Sequence, residues 1–407
     1  MNFIRLIILL PVCLLGSLSI RLGVDELFET GHLAALKGKS IGLITNQTGV
    51  DKDLEPTIAR FLDKKHNLRI KALFCPEHGL SGAAYAFEKI KSDLSRAIPL
   101  YSLHGETRRP TEEMLKGIDL LVYDIQDIGV RSYTFASTLF YVMEEAAKRK
   151  IPVIVLDRPN PLGGELIDGP LLETPFRSFV GYVDVPYCHG MTIGELAHYF
   201  NAEYKIGCAL KVIPMKGWRR SMTFEKTGLH WIPTSPHIPE ADSPLFCAST
   251  GLIGELGIVS IGVGYTLPFK VVGAPWIDAE TYANALNKLK LPGVAFRPFH
   301  FKPFYGLFKG KTCNGVLIVV KDKRTYKPLS AQFALLGILK SLYPSSFKKS
   351  LEKMSKSRRA LFCKTLGTDR VLKLLESEPY VTYKLLELDQ NKIAAFGEKR
   401  KKYLLYP

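Results

Sequence analysis

Cysteine is scarce in this chain. Seven cysteines in 407 residues, with no C-x-x-C pair, exclude a disulfide-built scaffold and give no support to a zinc ribbon or a thioredoxin-like site. After the first twenty residues no apolar run approaches the ~20 residues needed to span a bilayer, which excludes a multi-pass membrane protein. No G-x-G-x-x-G follows the first strand, so no dinucleotide cofactor is expected, and no G-x-S-x-G elbow supports a serine hydrolase. H-E-x-x-H and close histidine pairs are also missing. The isolated His78, His189 and His237 read first as hydrogen-bonded structure, and neither a metal nor another cofactor is expected. Internal repeats and low-complexity tracts are absent.

What remains is ordinary globular composition, 46% hydrophobic and 23% charged, with a net charge of +16. The positive charge is uneven. Lys340–Pro407 holds 16 Lys/Arg against 7 Asp/Glu. The plainer reading is a solvated face of terminal helices; the functional one is attraction to an anionic glycan or a membrane surface. No RNA-binding or helix-turn-helix signature accompanies the charge, so nucleic acid is not an expected partner. At the other end, Met1–Arg5 is basic, Leu6–Leu15 is apolar apart from Pro11, and Ser17 and Ser19 offer small residues for cleavage. Residues 1–19 therefore read as an export signal, with a retained anchor as the alternative. Cys13 lacks a small residue before it and is not expected to be lipidated. Either way the chain is expected to work in the periplasm or outside the cell.

Short apolar runs alternate with helical periodicity. Ser40–Thr45, Leu68–Cys75, Ile98–Leu103, Ile118–Ile125 and Ile151–Leu156 read as strands, and Leu54–Lys65 and Phe135–Arg149 as helices. Runs apolar on both faces imply a parallel sheet covered on both sides, an α/β fold of Rossmann-like type. Thr192, with Glu195 three residues on, is a capping box opening a helix to Tyr204. Helices (Ala279–Lys290, Ser330–Leu342, Asp369–Glu376) and strands (Val294–Phe299, Gly315–Val320) follow. These divide the chain into a Rossmann-like domain over 20–250 and a smaller α+β domain over 251–407 with a basic helical end.

In open parallel sheets, ligands bind beyond the carboxyl ends of the strands. Polar residues fall at those ends: Asn46, Glu77, Asp124, Asp127, Asp157 and Arg158. Glu77 lies between Pro76 and His78-Gly79, a stiffened turn where a partly desolvated carboxyl would suit general acid work. Asp124, Asp127, Arg131 and Tyr133 share the loop YDIQDIGVRSY, in which Arg131 is either a carboxylate clamp or half of an internal ion pair. The loop Asp157-Arg158-Pro159-Asn160-Pro161 carries the same ambiguity.

Taken in order, GLITNQTGVD (Gly42–Asp51), LFCPEHG (Leu73–Gly79), VYDIQDIGVRSYTF (Val122–Phe135), LDRPNPLGG (Leu156–Gly164), PYCHGMTIGELA (Pro186–Ala197), SPHIP (Ser235–Pro239), VVGAPWID (Val271–Asp278) and the terminal YLLY (Tyr403–Tyr406) resemble the exo-β-N-acetylmuramidase family, long known as a domain of unknown function. The resemblance implies a Rossmann-like N-terminal domain, a smaller C-terminal one, and release of N-acetylmuramic acid from non-reducing ends of peptidoglycan fragments. It places the family's proposed catalytic Glu on Glu77. One stretch departs. Where members carry a motif like LFEGTNxSxGRGT, this chain reads LIGELGIVSIGVGYT, with Glu255 at the motif's Glu and Val263 at its Arg. Candidates for the second catalytic group are then Glu255, Asp124 and Asp127. Candidates for substrate contact are Asn46, His78, Arg131, Tyr133, Arg158, Asn160 and His189, with Arg131 or Arg158 meeting the lactyl carboxylate of muramic acid. Two alternatives stay open: a non-catalytic glycan-binding protein, motivated by Val263, and a metal-dependent carbohydrate deacetylase or amidase using His78 and His189.

Overall fold

The computed structural model of the chain describes residues 20–407; the expected export signal, residues 1–19, lies outside the described residues. The chain forms β1 (Ser40–Thr45), β2 (Arg69–Cys75), β3 (Leu100–Ser102), β4 (Leu120–Asp124) and β5 (Val153–Leu156), then an antiparallel ribbon of β6 (Asp168–Leu171) and β7 (Pro186–Cys188), then β8 (Leu210–Ile213). All but the ribbon lie in one parallel sheet of order β3-β2-β1-β4-β5-β8, the doubly wound arrangement that the apolar runs imply. Every residue of β1, β4 and β5 is buried, because both faces are covered. Alternate residues serve opposite faces. Ile44, Tyr123 and Val155 pack with Phe135, Leu139 and Phe200, while Leu43, Val122 and Ile154 pack with Val24, Leu27 and Phe61.

Local chemistry sets the helix bounds. Thr192 Oγ1 accepts from Glu195 N (3.2 Å) and Glu195 Oε2 from Thr192 N (2.9 Å), closing the capping box ahead of helix Ile193–Glu203. The helix expected over Leu54–Lys65 shrinks to Thr57–Leu62, because Leu54 stands at φ +70, outside the helical region, and Pro56 precedes the first turn. A helix over Ser243–Leu256 runs straight through residue 250, so the expected boundary falls inside one element.

Beyond it, β9 (Val271–Ala274), β10 (Val294–Phe301) and β11 (Cys313–Val320) make an antiparallel sheet of order β10-β11-β9. Its helices, chiefly Ser243–Leu256, Ala279–Lys288 and Pro328–Leu342, share one apolar core with Ile128, Val130, Tyr187 and Cys188 of the first half. Among the described residues no helix is long and apolar enough to cross a membrane, and all six cysteines are free.

The basic end is not a detached surface. After helix Gln390–Lys399 the chain returns to the first half, where Arg400 donates to the carbonyls of Gly164, His189 and Gly190. Lys399 and Lys402 pair with Glu203 at 3.0 and 2.9 Å, and Arg370 pairs with Asp389 and Glu173. Part of the charge concentrated after Lys340 is therefore neutralised by Glu173 and Glu203 of the first half. Tyr406 ends the journey beside β5: its hydroxyl donates to Asp157 Oδ2 (2.5 Å) and accepts from Met215 N (2.9 Å). Tyr406→Phe leaves both buried partners short of one bond. It should cost about 1–3 kcal/mol in urea denaturation, with an unchanged m value.

Candidate active site

Glu77 is aimed by the turn that ends β2. His78 and Gly79 both take left-handed backbone (φ +71 and +78), which reverses the chain and leaves the Glu77 carboxyl at the sheet's carboxyl edge. It is 6% exposed. Oε1 accepts from Phe87 N (3.0 Å) and Oε2 from Thr134 Oγ1 (2.6 Å), Thr134 being the first residue of helix Thr134–Lys148. His104, just past β3, brings Nε2 to 3.5 Å from Glu77 Oε1. Burial holds the His104 imidazole below its ordinary pKa; the charge of Glu77 opposes this, and Arg108 and His78 reinforce it. The pair is thus a carboxyl group beside an imidazole whose charged form burial disfavours.

Glu77 opens onto a cavity of about 420 Å³ at the seam of the two halves. Glu255, in the last turn of helix Ser243–Leu256, lines its C-terminal side. Burial pushes the Glu255 carboxyl up, partly offset by the Arg358 guanidinium. Arg358 is the only Arg or Lys on the wall among the described residues, and its Nε donates to the Glu255 carbonyl (2.9 Å). His78, Tyr133 and His237 add to the polar lining, along with several serine and threonine hydroxyls. His78 Nδ1 lies 2.7 Å from the Ala84 carbonyl, Tyr133 donates to Thr234 Oγ1 (2.9 Å), and burial raises the Tyr133 phenol above its usual pKa. Val263 also faces the cavity.

The other candidates stand elsewhere. Asp124 and Arg158 bind each other at 2.6 and 2.9 Å, Thr57 donates to Asp124 Oδ2 (2.5 Å), and Arg158 also reaches the Val50 carbonyl. Both are buried, so neither charge is left over for a substrate. Asn46 accepts from the Thr48 amide and hydroxyl, shaping a turn. Asn160 bridges Leu162 N and the Met191 carbonyl. His189 accepts from Met191 N, and burial with Arg400 and Arg131 nearby pushes it down to about 3. The Arg131 guanidinium donates to four backbone carbonyls, those of Pro170, Val185, Thr365 and Leu366, and meets no carboxylate among the described residues. Asp127 is buried, with Oδ2 accepting from Gly129 N (2.8 Å) and Oδ1 unpartnered. No cluster of three or more His, Cys, Asp or Glu side chains is arranged to hold a metal among the described residues.

Comparison with known proteins places this geometry. The model for the exo-beta-N-acetylmuramidase NamZ N-terminal domain matches residues 41–242, and that for its C-terminal domain matches residues 245–406. The chain belongs to the exo-β-N-acetylmuramidase NamZ family. The Bacillus subtilis (strain 168) protein named peptidoglycan beta-N-acetylmuramidase NamZ is 40% identical over 95% of this chain and 91% of its own length. Two crystal structures of DUF1343-family proteins from Bacteroides fragilis NCTC 9343 are similar. One has a TM-score of 0.89 at 42% identity over 96% of this chain and 99% of its own; the other has 0.72 at 27% identity over 95% and 99%. The two NamZ domain matches divide at residues 242–245, at the first turn of helix Ser243–Leu256, so the cavity lies across the family's own division.

Four cavity or carboxyl contacts went unread in the sequence. His104 follows the short third strand, the same position relative to β3 that Glu77 holds relative to β2, and this was its available signal. Thr134 and Phe87 carry no signal as residue types. Arg358 sits in a basic stretch that reads as solvated charge.

The buried Asp127 generates a pH prediction. Burial raises its carboxyl from 3.8 to about 7, so the folded state favours the protonated form. That stabilisation is complete below about pH 4 and is lost as pH rises through about 7; the difference is up to ~4 kcal/mol. The melting temperature should fall between about pH 4 and 7 in the wild type, and Asp127→Asn should reduce that slope, leaving the part due to Asp157 and Asp168, whose carboxyls burial raises to about 6.

Proposed function

We propose that this chain is an exo-acting glycosidase that releases terminal N-acetylmuramic acid from non-reducing ends of peptidoglycan fragments. The carrying observation is a single cavity between the two domains that joins Glu77, Glu255 and one guanidinium. Its ~420 Å³ suits one amino sugar with its lactyl ether. Family membership and the Bacillus subtilis relative's named activity point the same way.

In this reading Glu77 is the general acid, giving a proton to the glycosidic oxygen as the C1–O bond breaks and the leaving sugar departs as an alcohol. Phe87 N–H and Thr134 Oγ hold the carboxyl in place, and His104 stands where it can exchange a proton with Oε1. Glu255 is the acidic group across the cavity that stabilises the oxocarbenium-like transition state or activates water. Arg358 takes over the role first assigned to Arg131 or Arg158, recognition of the lactyl carboxylate that glucosamine lacks. Two of its nitrogens are anchored on the carbonyls of Glu255 and Gly254, which fixes the guanidinium at the wall. A deacetylase would need His78 and His189 at one metal, yet His189 is buried outside the cavity.

We further propose export to the compartment that holds peptidoglycan, on the basic, apolar and small-residue pattern of residues 1–19. Contact with anionic glycan is supported by Lys349, Lys353 and Lys356, exposed and without an acidic partner among the described residues, close in sequence to Arg358.

Glu77→Gln should lower release of free muramic acid from a defined disaccharide at least ~100-fold with an unchanged melting temperature. Wild-type turnover would remove Glu77 from the mechanism. Arg358→Met should reduce kcat/KM on a muramide by about 10- to 100-fold while sparing any residual turnover of the matching glucosaminide. An equal loss on both would assign Arg358 to the scaffold.

A further inference from the structure

Beside the cavity, next to its wall residues Phe87 and His237, lies an aromatic band that the chemistry at Glu77 leaves unused. Tyr85 and Phe87 are 62% and 63% exposed on the loop after His78, and Phe304 and Tyr305 are 64% and 46% exposed on the loop joining β10 to β11. Phe87 and Phe304 are the exposed phenylalanines among the described residues, so this is not the single scattered exposure common on protein surfaces. His237 joins the two loops. Its ring centroid lies 6.4 Å from those of both Tyr85 and Tyr305, and its Nε2 is 2.7 Å from the Tyr305 hydroxyl. Phe87 and His237 both reach the cavity wall, so band and cavity are continuous.

Both loops are fixed in advance. The Phe87 amide is held by Glu77 Oε1, and Tyr85 N by Glu88 Oε2 (2.9 Å). Phe304 N donates to the Gly264 carbonyl (2.6 Å), and Gly310 N closes its loop on the Pro303 carbonyl (2.9 Å). Ordering these rings on binding therefore costs little. Exposed Lys302, Lys309 and Lys311 are interleaved with the aromatics, adding positive charge to the same loop.

We infer that this band binds the saccharide on the leaving-group side of the scissile bond, with its rings stacking on the flat C–H faces of the sugar. The inference rests on the exo-glycosidase reading above and deepens it. An enzyme that encloses a terminal sugar must let the rest of the chain out through the mouth, and here Phe87 and His237 stand on the wall with Tyr85 and Tyr305 flanking His237. A depeptidated glycan carries a carboxylate on every second sugar, which matches the neighbouring lysines. Contacts so close to the reacting bond supply binding energy that a substrate lacking the leaving sugar forgoes.

The test compares two substrates, methyl β-N-acetylmuramide, which has no leaving sugar, and the disaccharide whose leaving group is N-acetylglucosamine. Free muramic acid is the readout. Tyr85→Ala/Phe304→Ala replaces two side chains that are mostly in solvent. It should lower kcat/KM on the disaccharide about tenfold and on the methyl glycoside less than about twofold. Equal loss on both substrates, or no loss on either, overturns the inference. A change in oligomeric state with both activities intact assigns the band to a second copy of the chain and also overturns it. Wild-type protein that releases muramic acid from neither substrate instead sinks the glycosidase reading, and the leaving-sugar site with it.

Discussion

A buried guanidinium without a carboxylate partner joins the two halves of this protein. Arg131 is 4% exposed, and its two terminal nitrogens donate to the carbonyls of Pro170 and Val185 from the first half and of Thr365 and Leu366 from the second. A charge placed this deep would cost several kcal/mol if left unsolvated. Burial accordingly lowers its pKa to about 10, and carbonyl dipoles hold the charged form. Two of those carbonyls belong to the last turn of helix Lys356–Leu366, the end of a helix that favours a cation. That helix carries Arg358, Leu361 and Thr365 to the cavity wall. The cavity therefore exists where it does because Arg131 fixes the second half against the loop that follows β4.

The second organising feature is what fills the crevice between β1 and β4. In a doubly wound sheet this switch point is the usual ligand seat. Here Asp124, Arg158 and Thr57 occupy it with a closed ion pair and hydrogen bonds, and Thr48 and Asn46 complete the turn beside them. The open space lies instead over β2 and β3, where Glu77 and His104 leave the sheet and the second domain supplies the opposite wall. The parallel sheet serves as a rigid bed, and the binding volume is made by docking a second domain onto its edge.

This division explains what could be read in advance. β1 has the bounds its apolar run implies, and the Thr192–Glu195 box opens its helix, because both signals are local. β8 escaped notice because Lys211 interrupts its apolar run at the sheet's edge. Helix Ser243–Leu256 escaped because Pro244, Gly251 and Gly254 read as loop residues and because, packed between two halves, it is apolar nearly all round. Glu77, Tyr133, His78 and Glu255 meet at the cavity, but Asp124 and Arg158 carried the same signal, a polar residue at a strand's end. What separates them is the pairing of residues 34 positions apart, a fact of the fold that no local pattern contains. Arg358 shows the converse: one lysine-rich stretch holds both solvated charge and a wall residue, and only the packing of its helix tells them apart.

The return of the final residues to the first domain has a consequence for biogenesis. Asp157, at the end of β5, receives a bond from Tyr406, while Glu195 receives one from the Leu405 amide. During synthesis the parallel sheet emerges long before these partners do, so Asp157 and Glu195 hold only earlier partners such as Thr192, Gly194 and Arg220 until residues 405 and 406 arrive. A domain withheld from completion in this way is slow to lock. Such a clasp ties completion of the first domain to the arrival of the second, because the segment that closes it follows the whole of that domain.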